Sequence, residues 1–126
     1  MRCYKVLAAG QVSCHGGSGK WTPGEWRSVD GTILPCEHGL HFCREQDLVR
    51  WLNAEIWTAE CDDAIVHDDE KLVARRGRIL ECCEHWNERT ARLFACWCSR
   101  RVLPNFESRY PNDARPRQTI ETAERY

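Results

Sequence analysis

The stretch Pro35-Cys36-Glu37-His38-Gly39-Leu40-His41-Phe42-Cys43 places two cysteines and two histidines within nine residues. Read with the two-residue period of a strand, 39–43 puts Leu40 and Phe42 on one face and His41 and Cys43 on the other. Cys36 and His38 then sit on the turn that leads into the strand. This reading makes the middle of the chain a core strand with soft donors beside it.

Towards the N-terminus, 3–8 suits a strand, and His15-Gly16-Gly17-Ser18-Gly19-Lys20 reads as a flexible loop. Trp21-Thr22-Pro23-Gly24 is turn chemistry. A strand over 25–29 is followed by Asp30-Gly31, a hairpin signal ahead of Thr32, Ile33 and Leu34. After the donor-rich stretch, Leu48, Val49, Trp51 and Leu52 cluster on one side of a short helix over 45–53. Extended segments follow at 56–60, 72–74 and 79–80. Beyond Trp86 the period lengthens. Thr90, Leu93, Phe94, Trp97, Cys98 and Val102 predict an amphipathic helix over 87–101. Pro104 either interrupts it or opens another helix. Asp113 is placed to cap a last helix from about 115 to the end. The class expected is α+β: an antiparallel sheet packed by the short middle helix and the C-terminal amphipathic helices, in one compact domain with a β-rich part, 1–86, and a helical part, 87–126.

Composition narrows the function classes. A length of 126 residues fits one domain, and 42% hydrophobic residues with six tryptophans supply a core. A net charge of −1 gives no global attraction to nucleic acid or to anionic lipid. No segment approaches the roughly 20 apolar residues of a membrane helix, and nothing resembles a signal peptide. Nine cysteines cannot all pair, so the reading is a cytoplasmic protein with reduced thiols.

Several constellations carry candidate chemistry. Cys36, His38, His41 and Cys43 form a candidate zinc set, to which Cys82, Cys83 and His85 can add donors, although no CxxC knuckle is present. The alternative is a core strand whose His41 ring bonds a neighbour. Cys43, just ahead of the predicted helix and sharing a face with His41, and Cys14, beside His15, are candidate thiol nucleophiles. Gly19-Lys20 lacks the first glycine and the hydroxyl residue of a phosphate loop, which leaves a flexible hairpin connection. Glu60, Asp62, Asp63, Asp68, Asp69 and Glu70 lack the order of a calcium loop and read as a solvated or partner-steering face. Arg75-Arg76-Gly77-Arg78 reads as a solvated strand edge. Cys96 lies off the Leu93-Phe94-Trp97 stripe, so it is expected to be more exposed than Cys98 and, with Trp97, to lie in an interface.

Three resemblances add expectations. Tyr4-Lys5-Val6-Leu7, Cys36, Gly39-Leu40-His41, Cys43-Arg44, Asp47-Leu48, Trp51-Leu52, Trp57, Glu60 and Lys71-Leu72-Val73-Ala74-Arg75-Arg76 resemble a family of small bacterial and phage proteins with no assigned activity. That likeness implies no catalytic residues. Phe94-Ala95-Cys96-Trp97-Cys98, Arg101-Val102-Leu103-Pro104, Phe106-Glu107, Tyr110-Pro111-Asn112-Asp113, Arg115-Pro116-Arg117, Ile120-Glu121 and Ala123 are similar to the opening of a helical family of immunity proteins of bacterial toxin systems. This implies neutralisation of a protein partner, a toxin or defence effector, by surface occlusion. Trp97, Cys96, Arg115 and Arg117 are the candidate interface residues, and a homo-oligomer is a further option. The order of a Gly-Leu-His-Phe strand, a helix and a strand ending in Glu60 resembles ADP-ribosyltransferase architecture, which implies His41 and Glu60 as its working pair. The function expected is therefore a binding protein of bacterial or phage conflict. The alternatives are a transferase using His41 and Glu60 or the Cys43 thiol, and a zinc-stabilised structural domain.

Overall fold

A computed structural model describes residues 1–126 and divides them into two compact units, Met1–Glu84 and His85–Tyr126. The class is α+β, as expected, with two antiparallel sheets and three α-helices. No helix is long and apolar enough to cross a membrane.

In the first unit, the strands are β1 (Arg2–Leu7), β2 (Arg27–Ser28), β3 (Leu40–Phe42), β4 (Glu55–Asp62), β5 (Val66–His67), β6 (Leu72–Ala74) and β7 (Arg76–Cys82). One sheet has the order β1-β4-β7-β2 and the other β3-β6-β5. Alternation explains the long strands. Ala59 and Cys61 of β4 and Ile79 of β7 are fully buried, and Glu60 and Arg78 pair on the opposite face. Cys43, just past β3, exchanges two 2.8 Å backbone hydrogen bonds with Tyr4, which brings β3 against the outer side of β1. Cys3, Leu7, Trp21, Leu40, Phe42 and Trp57 are among the core residues between these elements.

Two glycines set the approach of β3. Gly39 has φ +140°, and a Cβ there would overlap Val73. A Cβ on Gly77 would overlap the Phe42 ring and come within 2.9 Å of the Glu60 carbonyl oxygen. Phe42 is thus seated on bare backbone of β7.

The expected helix over 45–53 is shorter than its apolar pattern. A 3-10 turn, Glu45–Asp47, leads into the single-turn α1, Leu48–Trp51. Buried Asp47 explains the start: its carboxylate accepts from the Arg44 backbone N–H at 2.9 Å and from Arg44 Nε at 2.7 Å. The hairpin expected at Asp30-Gly31 is absent. Gly31 does take φ +90°, but the local closure is the Leu34–His38 bridge, and Thr32 to Leu34 form no strand.

In the second unit, α2 spans Glu88–Arg109 and α3 spans Arg115–Glu124. Asn87 and Thr90 cap α2 reciprocally: Asn87 Oδ1 accepts from Thr90 N–H at 3.0 Å and Thr90 Oγ1 accepts from Asn87 N–H at 2.9 Å. The helix runs through Pro104, whose exposed position keeps its missing donor away from the packed side. Asp113 is not the cap of α3: Ala114 holds that position without a side-chain bond, and Asp113, one residue earlier, accepts from the Arg115 N–H at 3.1 Å.

The expectation for Cys96 is overturned. Cys96 is buried and Cys98 is exposed. The reason is the choice of face: α3 packs on the line of Cys96 and Leu103, seven residues apart, through Ile120 and Ala123. The Leu93-Phe94-Trp97 stripe is left outside that contact, and Trp97 is 55% exposed.

Replacing Gly77 with Ala should cost about 1–3 kcal/mol or more of unfolding free energy, because the clash is with backbone and a fully buried ring. Denaturant unfolding of the Gly77→Ala variant reads this, and an unchanged midpoint would refute the seating of Phe42.

Candidate functional site

A cavity of about 380 Å³ opens in the first unit, within the size range of small-molecule sites. β1 and β3 supply its floor through Lys5, His41 and Phe42. The glycine-rich loop, Trp21, the turn around Cys36, Trp51 of α1 and Lys71 supply its walls. Local contacts hold these walls in place. Trp21 is buried, meets Phe42 edge-to-face at 6.0 Å and donates from Nε1 to Ser13 Oγ at 2.9 Å. The His15 ring stands edge-on to Trp51 at 5.3 Å, with Nε2 2.8 Å from the Trp51 carbonyl, tying the loop to α1.

Three cations line the cavity without an ion-pair partner. Lys5 Nζ donates to the His41 carbonyl at 2.5 Å and lies over the rings of Trp21 and Phe42, at 5.0 and 5.3 Å. Arg27 donates from Nη2 to the Ser18 carbonyl at 2.9 Å, stacks on Trp21 at 4.8 Å, and keeps Nη1 buried and unbonded. Buried Lys71 donates to Cys36 Sγ at 2.7 Å and lies 5.5 Å from the Trp51 ring. The eight ion pairs of the chain include none of these residues. Exposed Glu37 is the sole carboxylate in the cavity wall.

Lys5 occupies an unusual place. It lies between Cys3 and Leu7 on the inner face of β1, where the period of two calls for an apolar side chain. Its pKa is lowered from 10.5 to about 8, by burial first and in smaller part by Arg27, against the opposing Cys43, Cys14 and Cys3 thiols. The His41 imidazole is also pushed below its ordinary value, by burial first and then by Lys71 and Lys5, against a weaker pull from Asp68. Its Nε2 is buried and has no hydrogen-bond partner.

Cys36, His38, His41 and Cys43 all line this cavity but do not form a zinc set, because no three His, Cys, Asp or Glu side chains converge anywhere in the chain. Cys36 is turned to Lys71, His38 is turned to the Asp30 carbonyl, and Cys43 is buried beside β1. The thiol reading also meets the wrong electrostatics. Burial pushes the Cys43 thiol up to about 11 and the Cys14 thiol upward as well, the reverse of an activated nucleophile. Glu60 does not join His41. It lies outside the cavity wall, bonded to Arg78 at 3.0 Å across β4 and β7, so the transferase pair is not assembled.

The acidic and basic runs largely answer each other. Asp62 pairs with Arg76 and Asp63 with Arg75, both at 3.3 Å, and Trp26 lies against Arg76 and Arg78. Of the expected interface residues, Arg115 is paired with Asp113 and Arg117 is bidentate to Glu107 at 2.7 and 2.8 Å. Cys96 is buried, and Trp97 remains outward.

Lys5, Arg27, Lys71, Trp21 and Trp51 are site residues that the sequence reading did not select. The alternation Cys3-Lys5-Leu7 was the signal for Lys5, since it sets a charge in an apolar row. No protein-family model, curated protein or solved structure matches the chain.

Lys5→Met should raise stability at pH 7 by about 2 kcal/mol: the pKa displacement is worth about 3 kcal/mol and the lost ring contacts return about 1. Because the folded pKa lies below the unfolded one, the unfolded chain binds more protons between about pH 8 and 10.5. The wild type therefore gains on the variant as pH rises through that window. Paired denaturant titrations at pH 7 and pH 10 measure it, and a constant gap would reject the buried ammonium.

Proposed function

We propose that the first unit binds a small anionic molecule, with its charge among Lys5, Arg27 and Lys71 and its apolar or planar part against Trp21 and Trp51. The observation that carries this reading is three cations around one cavity, none ion-paired, in a chain of net charge −1. A ligand anion supplies the counter-charge that the fold withholds. Desolvated charge–charge contacts of this kind are stronger than the same contacts in water.

Isothermal titration of the full chain with inorganic phosphate, pyrophosphate and glyoxylate, alongside neutral analogues, tests it. Binding should favour anions, weaken with added salt, and fall at least tenfold in Lys71→Met. Equal binding of neutral analogues, or no anion binding at low salt, would end this reading.

A second reading is favoured by Trp97. Its ring stacks on Phe94 at 6.1 Å, is covered by Arg101 at 4.8 Å, and is still more than half exposed. Together with the likeness of this segment to immunity proteins, that supports occlusion of a toxin or defence effector by the outer face of α2. Trp97→Ser should abolish co-purification of a stoichiometric partner without lowering the melting temperature. Retention of the partner by the variant would remove α2 from the interaction.

A further inference from the structure

We propose that Lys5 captures the carbonyl carbon of an anionic aldehyde or ketone as an imine inside the cavity. This rests on the anion-binding reading and names the substrate class of that same site.

A lysine between Cys3 and Leu7 stands in a row that packs into the core, and nothing in the fold compensates its charge with a carboxylate. A side chain that lowers stability without an ion pair is the kind of local conflict found at functional sites. The bond from Nζ to the His41 carbonyl and the two aromatic faces hold the amine at the cavity wall. Arg27 and Lys71 line the same space and can hold a carboxylate or phosphate while the carbonyl carbon meets Nζ.

The chemistry needs no outside oxidant or reductant. The neutral amine attacks the carbonyl carbon, forming a C–N bond as the C–O π pair moves to oxygen. Proton transfer from nitrogen to oxygen gives the carbinolamine. A second proton lets that oxygen leave as water, and loss of the remaining N–H proton leaves the C=N bond. Solvent water that enters the open cavity can carry these protons, and neutral His41 lines the same space. Desolvation and Arg27 keep the amine partly unprotonated; the thiols of Cys3, Cys14 and Cys43 face it from β1, the loop and the end of β3, and stay neutral near pH 7 because burial raises Cys14 and Cys43 and the Cys61 thiol raises Cys3.

Lys5, Lys20 and Lys71 are the only lysines, so the site of capture can be read directly. The full chain is incubated with glyoxylate and cyanoborohydride, and carboxymethylated peptides are mapped by mass. The expected result is modification of Lys5 at least tenfold faster than of exposed Lys20, with a rate that climbs towards pH 8 and falls several-fold in Lys71→Met. Equal labelling of Lys5 and Lys20, or labelling of Lys71 first, overturns the proposal. Anion binding by titration with no Lys5 adduct overturns the imine and leaves the anion site standing. Labelling of Lys5 by neutral propanal as fast as by glyoxylate, with no anion binding, overturns the anionic substrate class and the reading beneath it.

Discussion

Two backbone hydrogen bonds between Tyr4 and Cys43 join the outer strand of one sheet to the first strand of the other. The cavity depends on that junction. Tyr4 precedes Lys5, and Cys43 lies two residues after the His41 carbonyl to which Lys5 donates. Pinning β3 against β1 therefore brings the ammonium, the imidazole and the Phe42 ring to one place. Bare backbone at Gly77 lets Phe42 sit deep, and the left-handed Gly39 lets the chain enter β3 past Val73. The junction costs no side-chain specificity, so the residues around it are free to carry chemistry.

Magnitudes separate the cavity cations from the rest of the charge. The arginine pairs with Glu60, Asp62 and Asp63 are solvent-accessible and screened, so each contributes little. They neutralise the surface of β4 and β7 and align the register that the core already sets. Lys5 acts in the other direction. Its burial without a carboxylate costs more than one of those pairs returns, and the aromatic faces offset only part. Electrostatics in this chain therefore stabilises weakly at the edges and destabilises at the cavity.

The elements legible in the sequence were those with strong period. β1, β4, β7 and the strand at Leu40 to Phe42 follow from alternation and the long α2 from helical spacing, whereas β6, buried at all three positions, shows only as a short apolar run. The donor-rich turn was legible as a site but not as the right site. Spacing alone cannot show that Cys36 turns to Lys71 and His38 to a backbone carbonyl. Lysine in a strand reads as a solvated residue unless both of its i±2 neighbours are known to be buried, so Lys5 stayed hidden. Cys96 shows the matching limit for helices. The stripe with the larger side chains reads as the packed face, whereas α3 covers the line bearing the small Cys96, which permits close approach. Lys71 and Trp51 meet only through the packing of α1 beside the start of β6, a non-local contact with no local sequence signal.

Burial acts with opposite sign on the two kinds of nucleophile in this cavity. It disfavours charge, so it raises the pKa of a thiol and lowers that of an amine. The reactive thiol is the anion, and burial makes it scarce at Cys14 and Cys43. The reactive amine is neutral, and burial makes it available at Lys5. The nearby cations strengthen the amine's side of this contrast, because they repel a proton from Lys5 and from His41 alike. Their attraction for a thiolate is too weak to reverse the desolvation of Cys43, whose shift remains upward despite Lys5 and Arg44. Burial beside one cation-lined space thus disarms Cys14 and Cys43 and leaves the inner-face lysine as the nucleophile it favours.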